Sequence, residues 1–239
     1  MPMEIETRSS RVSAAFVKIA DTLVGDYDVL ELLHTLVEES VELLDAAAAG
    51  LMLAGPDGVL QVLASTSEES QLVEALQQES GAGPCVDCYV TGVPVTVRDI
   101  AGTEDRWPDF RRAAATQGFR SVHAFPMRVQ GRTIGAMNLF RTETGELSDE
   151  DVAIGQALAD VSTISILQKK TASESAVVNQ QLQDALNSRI VIEQAKGMIA
   201  HIDDIDTNEA FRRLRNHARS NNKNLRETAQ AVLNRSLTV

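Results

Sequence analysis

Aromatic residues make up only 4% of this chain, and beyond Gln180 the one aromatic is Phe211. A platform that stacks nucleic-acid bases needs several exposed rings, so the C-terminal end has no material for one. The two cysteines, Cys85 and Cys88, are too few for a disulfide scaffold and fit a reducing compartment. No run of about 18 apolar residues occurs, which argues against a membrane span. Residues 1–11 are mostly polar and lack the apolar core of a secretion signal, so a cytoplasmic location is the expectation. Proline is absent after Pro126, and after Gly145 glycine recurs only at Gly155 and Gly197. The chain thus divides into a punctuated N-terminal part and an uninterrupted helical part.

Catalytic signatures are also missing. There is no nucleophile elbow, phosphate-binding glycine loop or metal-protease helix. The carboxylate clusters Glu38-Glu39 and Asp149-Glu150-Asp151 read as solvated helix faces rather than acid–base pairs. The expectation is a regulator, not an enzyme, with no metal site and no resident cofactor.

What the chain does have is charge separated along its length. From Ala210 to Val239 there are seven basic residues against the single acid Glu227, a net of +6. The whole chain carries −12, so residues 1–209 carry −18. A cationic cap on an acidic body points to a polyanionic partner at that end.

Apolar residues three and four apart predict amphipathic helices over 12–24 and again after Asp28, through Leu32, Leu33, Leu36, Val37, Val41 and Leu44. Ala49–Leu53 and Val59–Ala64 flank the turn sequence G-P-D-G, a hairpin signal. A helix is expected over 68–78, a loop and helical turn over 81–92, a short strand at 93–97, and loop and helix around R-W-P-D-F. Ser121–Val129 and Thr133–Arg141 form a second hairpin. The fold class is therefore α+β, an antiparallel sheet with helices expected on one side. Ser148 then starts a helix that keeps a three-four apolar spacing over about 148–186, with a polar middle from Gln168 to Ser175. It reads as a coiled-coil-like, dimerising signalling helix with a weak centre. The alternative is two helices broken near Lys169-Lys170-Thr171. Caps at Asp206 and Asn224 begin two further short helices, with Ala195, Ile199, Ala210, Phe211, Leu214, Ala218, Leu225, Ala229 and Val232 as the core of a three-helix unit.

Ser188-Arg189, Ile192-Glu193-Gln194-Ala195-Lys196-Gly197, Ala210-Phe211, Leu214-Arg215, Ala218-Arg219-Ser220, Leu225-Arg226 and Ala229 keep one consistent spacing over three helices. Residues 178–239 thereby resemble the ANTAR domain, an RNA-binding module of bacterial antiterminators. They depart from its usual run at His217-Ala218-Arg219 and Asn221-Asn222. Residues 12–168 resemble a GAF domain through Gly83-Pro84-Cys85, Thr91-Gly92, Arg106-Trp107-Pro108, Gly118-Phe119-Arg120-Ser121, Ala124-Phe125-Pro126 and Ile134-Gly135-Ala136. The order resembles actinobacterial GAF–ANTAR proteins. The resemblance implies a homodimeric sensor that acts as a transcription antiterminator by binding paired hairpin loops in leader RNA.

Hairpin loops expose base edges that A-form stems hide. With stacking excluded, recognition falls to Arg and Lys on phosphates and to polar side chains on base edges. Arg212, Arg215 and Arg219 share one helix face, while Arg213 stands off it. With Arg189, Lys196, Ser220, Asn221, Asn222, Lys223 and Arg226 they are the candidate RNA-binding set. In the sensor, Cys85-Val86-Asp87-Cys88 is a candidate redox pair, because a helix N-terminus favours a thiolate; Asp87 opposes one, and the pair reads more readily as two buried side chains. His34 and His123 are lone histidines that read as packed side chains more readily than as haem ligands. A small-molecule ligand of the GAF domain is a candidate without a named chemistry. The rival reading is a redox- or ligand-sensing regulator that binds DNA through a helix-turn-helix at 207–235.

Overall fold

The structure, a computed structural model, describes residues 8–23, 29–103, 106–167, 176–221 and 223–238. Helix α1 (Arg8–Leu23) buries Ala15 and Ile19, and α2 (Val29–Leu44) buries Leu32, Leu33, Leu36 and Val37. The cap expected at Asp28 lies outside the described residues. Strands β1 (Ala48–Ala54) and β2 (Leu60–Ser65) form the first hairpin, closed where Gly55 N donates to Val59 O at 2.8 Å. Helix α3 (Glu68–Ser80) starts at Ser67, whose side chain accepts from Ser70 N, and stops at Gly81 in the left-handed conformation. Helix α4 (Pro84–Thr91), strand β3 (Val95–Val97), a 3-10 turn at Ile100–Gly102 and helix α5 (Pro108–Thr116) follow. Strands β4 (Ser121–Val129) and β5 (Arg132–Arg141) are joined by Gln130 and Gly131, both at positive φ, the conformation a two-residue hairpin needs.

The sheet is antiparallel with order β2-β1-β5-β4-β3. Its helices cover both faces, not the one side that the element order predicted. Strand β1 gives the reason. All of A-A-G-L-M-L-A is buried, so neither face of it can meet water. Ala49, Leu51 and Leu53 join the cluster formed with α1, α2 and α6, while Ala48, Met52 and Ala54 face the layer of α3, α4 and α5.

Helix α6 (Asp149–Leu167) is capped by Ser148, which accepts from Asp151 N at 3.1 Å. It lies close on the sheet because Gly155 has no side chain. A Cβ there would come within 2.6 Å of the Phe125 ring. Helices α7 (Ala176–Asp203), α8 (Thr207–Ser220) and α9 (Leu225–Leu233) form the C-terminal bundle. Asp206 and Asn224 cap α8 and α9 through side-chain oxygens. Ala195, Leu214, Ala218, Leu225 and Ala229 are each 0% exposed, and Phe211 is half-buried at the edge. Gln168, Thr171, Ser175 and the break foreseen at Lys169-Lys170-Thr171 lie outside the described residues. The bundle leans on the sensor: one apolar cluster runs from α2 and β2 into Ile192, Ala195 and Leu214.

Filling the α6–sheet contact tests this packing. Gly155→Val is expected to lower unfolding free energy by about 1–3 kcal/mol in urea titrations, the usual cost of overpacking. Unchanged stability would overturn the close approach.

Candidate RNA-binding face and the sensor interior

Five of the candidate cations meet in one place. Arg189 and Lys196 from α7 and Arg212, Arg215 and Arg219 from α8 line a cleft of about 240 Å³. Its opposite wall is the sensor: His34 and Glu38 of α2, and Leu63 to Ser67 at the end of β2. The spacing expected to put the three α8 arginines on one face does so, with Arg215 buried at the centre of the row and Arg212 and Arg219 exposed at its rim.

Arg215 is 7% exposed. Its guanidinium donates to Glu38 Oε1 at 2.5 Å and to Thr35 Oγ1 at 2.8 Å, while Nε has no partner. Arg219 donates to Glu31 Oε1 and, at 3.3 Å, to the same Thr35 hydroxyl. Glu31, Thr35 and Glu38 stand four and three residues apart, so α2 offers a row of oxygens to a row of guanidinium groups. Lys196 Nζ pairs with Glu193 at 3.0 Å and stands 5.5 Å from the Phe211 ring centroid. Arg212 pairs with Glu209 on its own helix. Arg189 donates to a backbone carbonyl, Val62 O, rather than to a carboxylate. Across the cleft His34 packs on Phe211 with ring centroids 4.4 Å apart. Burial first, then Arg215, Lys196 and Arg189, push its pKa down to about 3, so the imidazole is neutral among these cations.

The remaining candidates stand elsewhere. Ser220, Asn221, Lys223 and Arg226 are exposed at the α8–α9 turn, and Asn221 Nδ2 donates to His217 O at 2.8 Å. Asn222 lies outside the described residues. Arg213 pairs with Asp203 and Glu209, each at 2.9 Å, off the cleft. Arg189, Arg215 and Arg219 are thus bonded to the sensor, while Arg212, Lys223 and Arg226 are exposed.

Sequence reasoning missed Glu31, Thr35 and Glu38. The signal was present as an acidic stripe on α2 matching the basic stripe on α8, but each stripe alone reads as a solvated face. Glu38-Glu39 is corrected here: Glu38 binds Arg215, and Glu39, 8% exposed, pairs with Lys18 of α1.

At the N-terminus of α4 the two cysteines are packed into the core. Cys85 and Cys88 are both free and 0% exposed. Burial, then the neighbouring Glu74 carboxyl, pushes Cys85 well above the ordinary thiol range, and burial pushes Cys88 up to about 12. Desolvation outweighs the helix dipole, and both are thiols. Beside them Glu74 of α3 is fully buried. Its Oε1 accepts from Asn138 Nδ2 at 3.0 Å and its Oε2 has no partner. The carboxyl lies against β1 at Gly50, where any Cβ would overlap it. Burial raises its pKa from 4.5 to about 7, against the lowering effect of the Asn138 hydrogen bond. His123 of β4, 3.4 Å from Thr96 Oγ1, is pushed down to about 4 by burial. Among the described residues no cluster of three or more His, Cys, Asp or Glu could hold a metal. No described helix is long and apolar enough to cross a membrane.

An α/β/α layer fold is thus followed by a small helical bundle with a basic central helix. The family model of the GAF domain matches residues 26–166, and that of the ANTAR domain matches residues 180–233. The chain belongs to the GAF domain family and has the architecture of a GAF–ANTAR regulator, a sensory domain joined to an RNA-binding antiterminator domain. Among solved structures, the GAF domain of a phosphoenolpyruvate-protein phosphotransferase from Coxiella burnetii is 16% identical with a TM-score of 0.53, covering 67% of this chain and 95% of its own. Free methionine-R-sulfoxide reductase from Neisseria meningitidis, solved with its substrate, is 15% identical with a TM-score of 0.52, covering 76% of this chain and 95% of its own. These likenesses are of fold. No curated protein matches the chain in sequence.

Two outcomes follow for the sensor interior. Cys85 and Cys88 are expected to resist a thiol-reactive dye in native protein at neutral pH and to react on denaturation; rapid native labelling would contradict their burial. Because the folded pKa of Glu74 lies above the ordinary value, its contribution is full below pH 4.5 and is lost as pH rises through about 7. Relative to wild type, Glu74→Gln should therefore gain stability across that window, by roughly 3 kcal/mol at most. Parallel pH–stability curves would refute it.

Proposed function

We propose that this chain is a signal-responsive antiterminator that binds paired hairpin loops in leader RNA as a homodimer, and that the docked arrangement is its resting form. The single observation that carries this reading is the engagement of Arg215 and Arg219 by Glu31, Thr35 and Glu38. The guanidinium groups suited to phosphate are occupied by carboxylates of the sensor, so RNA must compete with α2 for them. A signal at the GAF domain that weakens the α2 contact frees the face. Ser220, Asn221, Lys223 and Arg226, at or beside the turn, together with Asn222, make the base-edge and outer phosphate contacts. Two bundles held together engage two loops at once, the second contact being intramolecular.

The test is a titration of full-length protein with a two-hairpin RNA, a loop-scrambled version and duplex DNA, at two salt concentrations. Glu31→Gln combined with Glu38→Gln is expected to tighten binding to the two-hairpin RNA about tenfold, within the usual range of coupling between sites. In that background Arg215→Ala and Arg219→Ala should each weaken it, and Lys223→Ala should lower the salt slope by about one. Unchanged RNA affinity in the double variant would sink the docked form as a control. Equal binding of all three nucleic acids would sink loop recognition.

A further inference from the structure

The cleft between α2, β2 and the bundle is a cavity with a chemistry of its own. Its lining holds Arg189, Lys196, Arg212, Arg215 and Arg219 against the acids Glu38 and Glu193. Glu31 and Glu209 stand behind as partners of Arg219 and Arg212. With these four acids, and with Glu74 in electrostatic reach of Arg189, the charges nearly balance, and what the cleft leaves unmet is hydrogen bonding. Arg189 has only a carbonyl oxygen, and Arg215, more than nine-tenths buried, has an Nε–H with no acceptor. Burial lowers the pKa of Arg189, against the opposing effect of the nearby Glu193 and Glu74 carboxyls. The exposed amides of Asn208 and Asn216 and the side chains of Ser65, Ser67 and Gln71 also line the cavity.

We infer that this interdomain cleft is a binding site for a compact oxyanion of the phosphate class, held by Arg189 and Arg215 and completed only when the bundle is docked on the sensor. Guanidinium groups match phosphate oxygens by planar, paired N–H donors. At about 240 Å³ the cleft admits a small anion and not a folded RNA loop. One wall is α2 and β2, so the site does not exist on a free bundle. A ligand that binds only the docked state shifts the population toward it. The occupant is thus a negative effector of RNA binding. The site stands on the cavity alone; its effect on RNA rests on the function proposed above.

The probe is inorganic pyrophosphate, titrated calorimetrically into full-length protein at fixed ionic strength, with orthophosphate and a nucleoside diphosphate as further arms. Saturable binding of one pyrophosphate per chain is expected. Tighter binding by the diphosphate would assign the natural source to a nucleotide, and weaker binding would assign it to the free anion. Arg189→Gln should lose at least tenfold in affinity. The decisive variant is Glu31→Lys with Glu38→Lys, which repels α8 from α2. It adds positive charge, so bulk attraction to a basic surface predicts tighter pyrophosphate binding, whereas a cleft that needs docking predicts at least a tenfold loss. Retained or tighter binding by that variant, or unchanged binding by Arg189→Gln, overturns the site. Circular dichroism and melting of both variants verify folding. Ten times its Kd of pyrophosphate should weaken the two-hairpin RNA about tenfold, by mass action on the docked state. Pyrophosphate binding without any change in RNA affinity would keep the site and overturn the effector role.

Discussion

A guanidinium group cannot be taken out of water without partners, and Arg215 is buried where the two domains meet. That constraint fixes the arrangement around it. Glu38 and Thr35 must present oxygens at the right height on α2, and Phe211 and His34 must close the apolar side with a neutral ring. The three-helix bundle has a core of small aliphatic side chains, marginal for so short a unit standing alone. Leaning on α2 extends that core, and the ionic row decides which face of the bundle is turned inward. Exposed ion pairs contribute little, but here one partner is desolvated, so removing either side leaves an uncompensated charge.

The sensor interior follows a different rule. On the face of the sheet toward α3 and α4, the Glu74 carboxyl, Cys85 and the amides of Gln77 and Asn138 share a network. The network is incomplete, since Glu74 Oε2, Gln77 Nε2 and Asn138 Oδ1 lack partners. Low dielectric keeps every titratable member neutral or near neutrality, which is how such a cluster survives in a core. Gly50 makes the room for it. A side chain at that point of β1 would remove the carboxyl from the sheet.

Much of this was legible in the sequence because local signals agreed with one another. The G-P-D-G and Gln130-Gly131 turns, the caps at Ser148, Asp206 and Asn224 and the apolar spacing of α2 and α8 all depend on neighbours close in the chain. The two-sided covering of the sheet was legible too, in the unbroken apolar run of β1, but an element order alone does not assign faces. What could not be read was the pairing of α2 with α8. Arg219 and Glu31 are 188 residues apart in sequence, and nothing local tells an acidic stripe that its partner is a basic stripe rather than water. The state of the cysteines also turns on something non-local. Position at a helix start is local, whereas the desolvation that overrides it comes from the whole core.

The row of oxygens along α2 has a consequence for ions in solution. Each guanidinium group that leaves a carboxylate for a phosphate exchanges one counterion atmosphere for another. Salt weakens both contacts, and counterions taken up by the parted α2 acids offset part of those released from RNA. Under the competition proposed between α2 and RNA, the chain would carry its own compensation: its apparent RNA affinity would fall less steeply with ionic strength than the number of phosphates it neutralises would require. An acidic sensor would then act as an internal counterion, holding the output domain's response steadier against changes in the salt around it.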